Sequence, residues 1–72
     1  MEPAKGWAVA VNGIYDVRTV SPTRRGALVN WLHIHIAPVL SSASDSYIEE
    51  LWRLASARHG ATLHEVFVSE GL

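Results

Sequence analysis

The chain reads as a small α+β domain, in the order β-β-α-α-β, with a small antiparallel sheet and two helices packed on one face. Three observations predict it. Two runs rich in Val, Trp, Tyr and Ile flank an Asn12-Gly13 turn. Two amphipathic stripes follow, each opened by a helix-start signal. A tail containing Val66-Phe67-Val68 then prefers extended backbone.

Residues 1–5 read as a frayed terminus. Residues 6–11 and 14–20 form the predicted hairpin, and its register can be argued from how the side chains segregate. A two-residue turn would pair Trp7 with Arg18 and Val9 with Asp16, mixing apolar and charged groups on one face. A three-residue loop, Val11-Asn12-Gly13 with Gly13 left-handed, pairs Trp7 with Val17 and Val9 with Tyr15. One face then holds Trp7, Val9, Tyr15 and Val17, while Asp16 and Arg18 turn to the other. A one-residue slip exchanges the faces, so this cleaner separation favours the bulged loop.

Ser21 is the expected N-cap of the first helix, with Pro22 at the first helical position, where its missing N–H costs nothing. Ala27, Leu28, Trp31, Leu32 and His35 make the buried stripe, widened by Val29 and Ile36. Pro38 disfavours helix at Ala37, so the helix should end there. Gly26 inside it costs up to about 1 kcal/mol relative to Ala, which close packing against another backbone would explain, as would simple sequence drift.

Residues 41–45 are a polar inter-helix linker. Ser46 with Glu49 three residues later has the form of a capping box, and Glu49 and Glu50 suit the positive end of a helix dipole. Ile48, Leu51, Trp52 and Ala55 supply the second buried stripe. Arg58 and His59 fall in the last turn, and Gly60 provides a left-handed stop. In the tail, residues 61–69, the spacing of Leu63, Val66 and Phe67 also fits a helix. A strand is favoured because it would cover one edge of an otherwise marginal hairpin.

At 72 residues the chain, 1–72, is expected to be one domain. A chain this short buries only roughly 60% of its unfolded surface, and small domains compensate with disulfides, a metal or self-association. It has no cysteine, which removes disulfides and thiolate metal sites and shifts weight to a homodimer. The first residues do not resemble a secretory signal, and the cysteine-free composition fits a reducing compartment, so a cytoplasmic location is expected. The most apolar run, residues 27–40, is interrupted by Asn30, His33, His35 and Pro38. It falls short of the roughly 20 residues of a membrane span, and no membrane partner is expected. A formal net charge of −1 argues against a dedicated nucleic-acid binder, which carries a basic excess.

The chemistry-bearing residues are few. Arg18, Ser21, Thr23, Arg24 and Arg25 gather at the start of the first helix, where free N–H groups and guanidinium forks suit an anion or a nucleic-acid phosphate. The plainer reading gives these arginines ion-pair partners in Asp16 or Glu49/Glu50. His33 and His35 would share a face only on a strand, since on a helix they point about 200° apart. His59 and His64 straddle Gly60, and no third ligand stands at a recognised spacing, so no metal is expected. Trp7, Trp31 and Trp52, with Tyr15, sit on predicted apolar faces. Core packing accounts for Trp31 and Trp52, while any of the four left exposed becomes a candidate interface. No nucleophile elbow and no Gly-rich phosphate loop occurs, so neither catalysis nor a cofactor is expected.

Residues 7–32, W-A-V-A-V-N-G-I-Y-D-V-R-T-V-S-P-T-R-R-G-A-L-V-N-W-L, resemble small uncharacterised proteins of bacterial and phage or prophage genomes. Those chains share a strand-turn-strand followed by V-S-x-T-R-R-x-A-x-x-N-W-L. Trp7, Gly13, Val17, Ser21, Thr23, Arg24, Arg25, Ala27, Asn30, Trp31 and Leu32 match, over about a third of this chain. The resemblance implies a mobile-element accessory setting rather than a mechanism. The leading expectation is a non-enzymatic, self-associating interaction protein, which could also meet an unknown protein partner. The linker offers a route to domain swapping. The alternative is an anion or nucleic-acid binding module on the arginine cluster.

Overall fold

The computed structural model describes residues 4–36, 38 and 42–68. Its elements are β1 (Ala4–Val11), β2 (Ile14–Ser21), α1 (Arg24–His35), α2 (Asp45–His59) and β3 (Ala61–Val68). The three strands form one antiparallel sheet in the order β2-β1-β3. α1 lies over β1 and β2, and α2 packs on α1 and β3, so the helices share one face of the sheet. The predicted α+β fold and element order are those observed, and the tail is a strand. No helix among the described residues is long and apolar enough to cross a membrane.

Between sheet and helices lies a core of Val9, Leu28, Trp31, Leu32, Ile48, Ala55 and Ala61, with Val11, Leu51, Trp52 and Leu63 packed around it. These are the inward positions of β1 and β3 and the predicted stripes of the two helices, except at the end of α1, where Ile36, expected to widen the apolar face, is 46% exposed. His35, expected in the buried stripe, is exposed as well. Its ring lies on Trp31, at 5.3 Å between centroids, and its Nε2 stands 3.4 Å from Asp16 Oδ2. The imidazole thus packs one side and keeps a polar tip towards water.

The hairpin register differs from the expected one. Asn12 and Gly13 both take positive φ, 54° and 79°, and close a two-residue turn with Val11 opposite Ile14 and Val9 opposite Asp16. Positive φ at both central residues is what the primed hairpin turn requires, and Asn-Gly meets it at low cost. The bulge exists, but in the strand rather than the loop. Beyond Val9 the register shifts until Trp7 pairs with Ser21, so Ala8 alone opposes residues 17–20. The mixed faces that argued against a two-residue turn are resolved by this shift and by Asp16 folding onto its own strand.

Thr19 holds the bulge in place. It is fully buried, accepts the Val9 N–H at 2.9 Å and donates to the Asp16 carbonyl at 2.6 Å. Its own carbonyl lies 3.4 Å from Asn30 Nδ2 on α1. One hydroxyl therefore satisfies two backbone groups where the ladder is broken.

Both helix starts are displaced from the expected positions. Ser21 belongs to β2, Pro22 precedes the helix, and Thr23 is the N-cap, its hydroxyl accepting from Gly26 N at 3.0 Å. Sheet pairing through Ser21 competes with capping and wins, because Thr23 can cap two residues later. In α2 the cap is Ser44, which accepts from Tyr47 N at 3.2 Å. Ser46 lies inside the helix, so Glu49 falls two residues beyond the N3 position of the Ser44 cap and forms no capping box; its carboxylate pairs with Arg24. Gly60 ends α2 with φ 65°, as expected. Ala4 and Lys5, expected in a frayed terminus, open β1, because pairing with β3 extends the strand. Asp45, expected in the linker, is the first residue of α2, because the Ser44 cap extends the helix. Residues 1–3, residue 41 of the linker and residue 69 of the tail lie outside the described residues.

Candidate interaction surface

The arginines of the cluster are each paired with a carboxylate of the protein itself. Arg18 sends Nε and Nη2 to the two carboxylate oxygens of Asp16, at 3.0 and 2.9 Å, and its backbone N–H to Oδ1 at 3.0 Å. These bonds hold the Asp16 carboxyl down at about 2. Arg24 makes a two-pronged pair with Glu49, at 3.1 and 2.7 Å. Arg25 bonds Asp45 and the Ala43 carbonyl, the latter at 2.8 Å. The start of α1 is thereby fastened to the start of α2, and the arginines that oppose the α1 dipole have carboxylates beside them. Ser21 Oγ lies 3.4 Å from Thr23 N, and Thr23 Oγ1 is used as the cap. The five residues are neighbours, but the guanidinium groups serve the protein's own carboxylates.

The candidate interface residues separate into two groups. Trp31 is 1% exposed and central to the core, with the rings of Trp52, His59 and His35 around it at 5.3–5.4 Å. Its buried Nε1 has no hydrogen-bond partner among the described residues. Trp52 and Trp7 are half-buried, while Tyr15 is exposed. Of these four candidates, only Tyr15 is exposed.

Tyr15 belongs to the sheet face away from the helices. Gly6, Ala8 and Ala10 of the central strand turn to that face, opposite Val66, His64 and Thr62 of β3. Their small size leaves room for Tyr15 and His64 to lean across β1 and meet edge to face at 5.5 Å. Ala8 and Ala10 are buried beneath, although no helix covers them. Thr62 Oγ1 lies 2.8 Å from His64 Nε2 and completes the patch. The alternation of small residues at 6, 8 and 10 was the sequence signal for this face, and the reading from composition passed over it.

Two edges flank the sheet. β2 is broken by its bulge and carries exposed Ile14, Val17 and Val20 beside the Asp16–Arg18 pair. β3 pairs with β1 without interruption over Ala61–Val68 and has no paired strand on its other side among the described residues. It contains no Pro, Gly, Lys or Arg. Its carboxylate, Glu65, is held by Lys5 of β1 at 3.1 Å, and Phe67 at its far end is 68% exposed.

The histidines do not converge. His59 faces the core and His64 the outer sheet face, and no cluster of three metal-ligating side chains occurs among the described residues. A groove of about 340 Å³ runs between Ile36 and the Leu51, Leu54, Arg58 and His59 side of α2. Its lining is largely apolar apart from Arg58 and His59. In comparisons with known proteins no family model matches the chain, and no curated protein or solved structure matches it.

Proposed function

We propose that this chain is a non-enzymatic interaction protein that self-associates through its sheet, acting as a cytoplasmic accessory in the mobile-element setting that the resemblance of residues 7–32 implies. The observation that carries this reading is the uninterrupted β3 edge. Natural sheets blunt their edges with bulges, prolines and lysines, because a row of unpaired N–H and C=O groups recruits another strand. Here β2 has such a bulge, whereas β3 has no bulge, proline or lysine and carries one charged side chain, Glu65, tied to Lys5 of β1. A chain of 72 residues with a core this small gains from association, because a second copy buries surface that one copy cannot.

The arginine cluster supports an anion or nucleic-acid site less well, since Arg18, Arg24 and Arg25 are all engaged with internal carboxylates. Sedimentation velocity over a range of protein concentrations, alone and with a labelled DNA duplex at low salt, tests the choice. A reversible dimer that ignores DNA is the expected result. A monomer at every concentration with cooperative unfolding would overturn the proposal, and DNA co-sedimentation lost at higher salt would return the arginines to the leading place.

A further inference from the structure

We infer that the partner of β3 is β3 of a second copy, paired antiparallel about His64 to make one continuous sheet across two protomers. The inference rests on the self-association proposed above and assigns it a register. The direction of the backbone groups supplies the argument. Val9 turns its N–H to β2, where Thr19 accepts it. Backbone groups alternate in direction along a strand, so Ala8 and Ala10 turn theirs to β3, where they face His64 and Thr62. Along β3 the same alternation sends the N–H and C=O of Thr62, His64 and Val66 to β1. Those of Ala61, Leu63, Glu65 and Phe67 point outward, to the open edge.

A two-fold axis perpendicular to the sheet keeps each side chain on its own face, so only residues of like parity can oppose one another. Two registers use nearly the whole strand. Centred on Glu65, the pairing sets the two Glu65 carboxylates against each other and leaves Ala61 without a partner in the strand. Like charges directly opposite are destabilising. Centred on His64, Ala61 faces the other copy's Phe67 and Leu63 faces its Glu65. Every outward N–H and C=O of Ala61, Leu63, Glu65 and Phe67 then finds a partner. The strand edge is self-complementary in this register.

Side chains agree with it. On the helix side the exposed Phe67 comes to lie on the other copy's Ala61, beside Leu63, and loses its contact with water. On the outer face Thr62 meets Val66, and the two His64 residues oppose each other in a non-hydrogen-bonded pair. The Tyr15–His64 contact of one protomer then continues into the same contact of the next. β2 cannot offer an equivalent edge, because its bulge breaks the alternation at residues 17–20.

The chain has no cysteine, so a single introduced thiol reports the pairing directly. Residues opposed in a non-hydrogen-bonded antiparallel pair have Cα atoms about 4.5 Å apart, inside the disulfide range. His64→Cys is expected to form a covalent dimer under mild oxidation, at least about tenfold faster than Glu65→Cys or Val17→Cys, whose copies lie too far apart to bridge. A second variant, Glu65→Pro, removes an outward N–H and leaves the backbone bonds to β1 in place, losing only the exposed Lys5 ion pair. It should weaken the dimer by about tenfold or more, the worth of the two symmetry-related hydrogen bonds it deletes. Reduced His64→Cys that sediments as a dimer yet does not cross-link would overturn this register and leave self-association standing. So would Val17→Cys linking fastest. A chain that stays monomeric with wild-type sequence would remove the self-association reading itself, and this inference with it.

Discussion

The backbone N–H of Val9 donates to the hydroxyl of Thr19 at 2.9 Å, ten residues along the chain and across a break in the ladder. The same hydroxyl donates to the Asp16 carbonyl at 2.6 Å, so one buried side chain closes the gap the bulge opens. Thr19→Val keeps the shape and removes the hydroxyl, leaving Val9 N–H and Asp16 C=O without it. A loss of roughly 1–3 kcal/mol in urea unfolding is expected, the cost of unsatisfied buried polar groups. Thr19→Ser, which restores the hydroxyl, should recover a substantial part. Equal stability of Thr19→Val and the parent would show that the bulge does not depend on this bond.

Gly26 faces a steric limit that helix propensity does not contain. A Cβ built there would fall on Ser21 Oγ and within 2.9 Å of Ser21 Cβ. Gly26→Ala is therefore expected to destabilise the chain by roughly 1–3 kcal/mol, the range for overpacking, against the gain of about 1 kcal/mol that Ala brings to a free helix. Adding Ser21→Gly should relieve the clash and expose the propensity gain. Thermal unfolding of the single and double variants reads both effects, and a Gly26→Ala chain that melts higher than the parent would refute the contact.

Asp16 makes stability depend on acid. Its carboxyl is lowered from 3.8 to about 2, first by the Arg18 side-chain bonds and then by the Arg18 N–H and His35. The folded value lies below the unfolded one, so below about pH 4 the unfolded chain takes up the proton first. The contribution is complete above that pH and is lost as pH falls towards 2. Urea midpoints measured from pH 5 down to 2 should fall more steeply for the parent than for Asp16→Asn. Parallel curves would mean that the pair does not form in solution.

The clamp of Arg24 and Arg25 on Glu49 and Asp45 is exposed, with 45% and 37% of the two arginine side chains open to water. Exposed pairs contribute about 0–1 kcal/mol each and are screened by salt. Arg24→Ala with Arg25→Ala should cost about 1 kcal/mol at low ionic strength and less at high. Neither this variant nor the parent should retain a DNA duplex on a filter at low salt. Retention by the parent alone would identify the cluster as a binding site.

The sequence by itself determined the hairpin tip at Asn12-Gly13, the two helices and the end of α2 at Gly60. These follow from signals that act within a few residues: positive φ at Asn and Gly, 3.6-residue periodicity, β-branched runs. The tail fitted strand or helix until it docked on β1. It also offered Asp16 and Glu49 as arginine partners, and both are used. The tertiary structure alone decided the rest. Whether Ser21 caps a helix or closes a ladder depends on Trp7, which pairs with it across the sheet. The bulge depends on a hydroxyl at Thr19 reaching Val9, and Glu49 is taken from its own helix start by Arg24, twenty-five residues before it. Which sheet edge stays open depends on where β3 docks, a contact spanning most of the chain. Local propensity fixes what each segment becomes; the partners of its hydrogen bonds and charges are set only when distant segments meet.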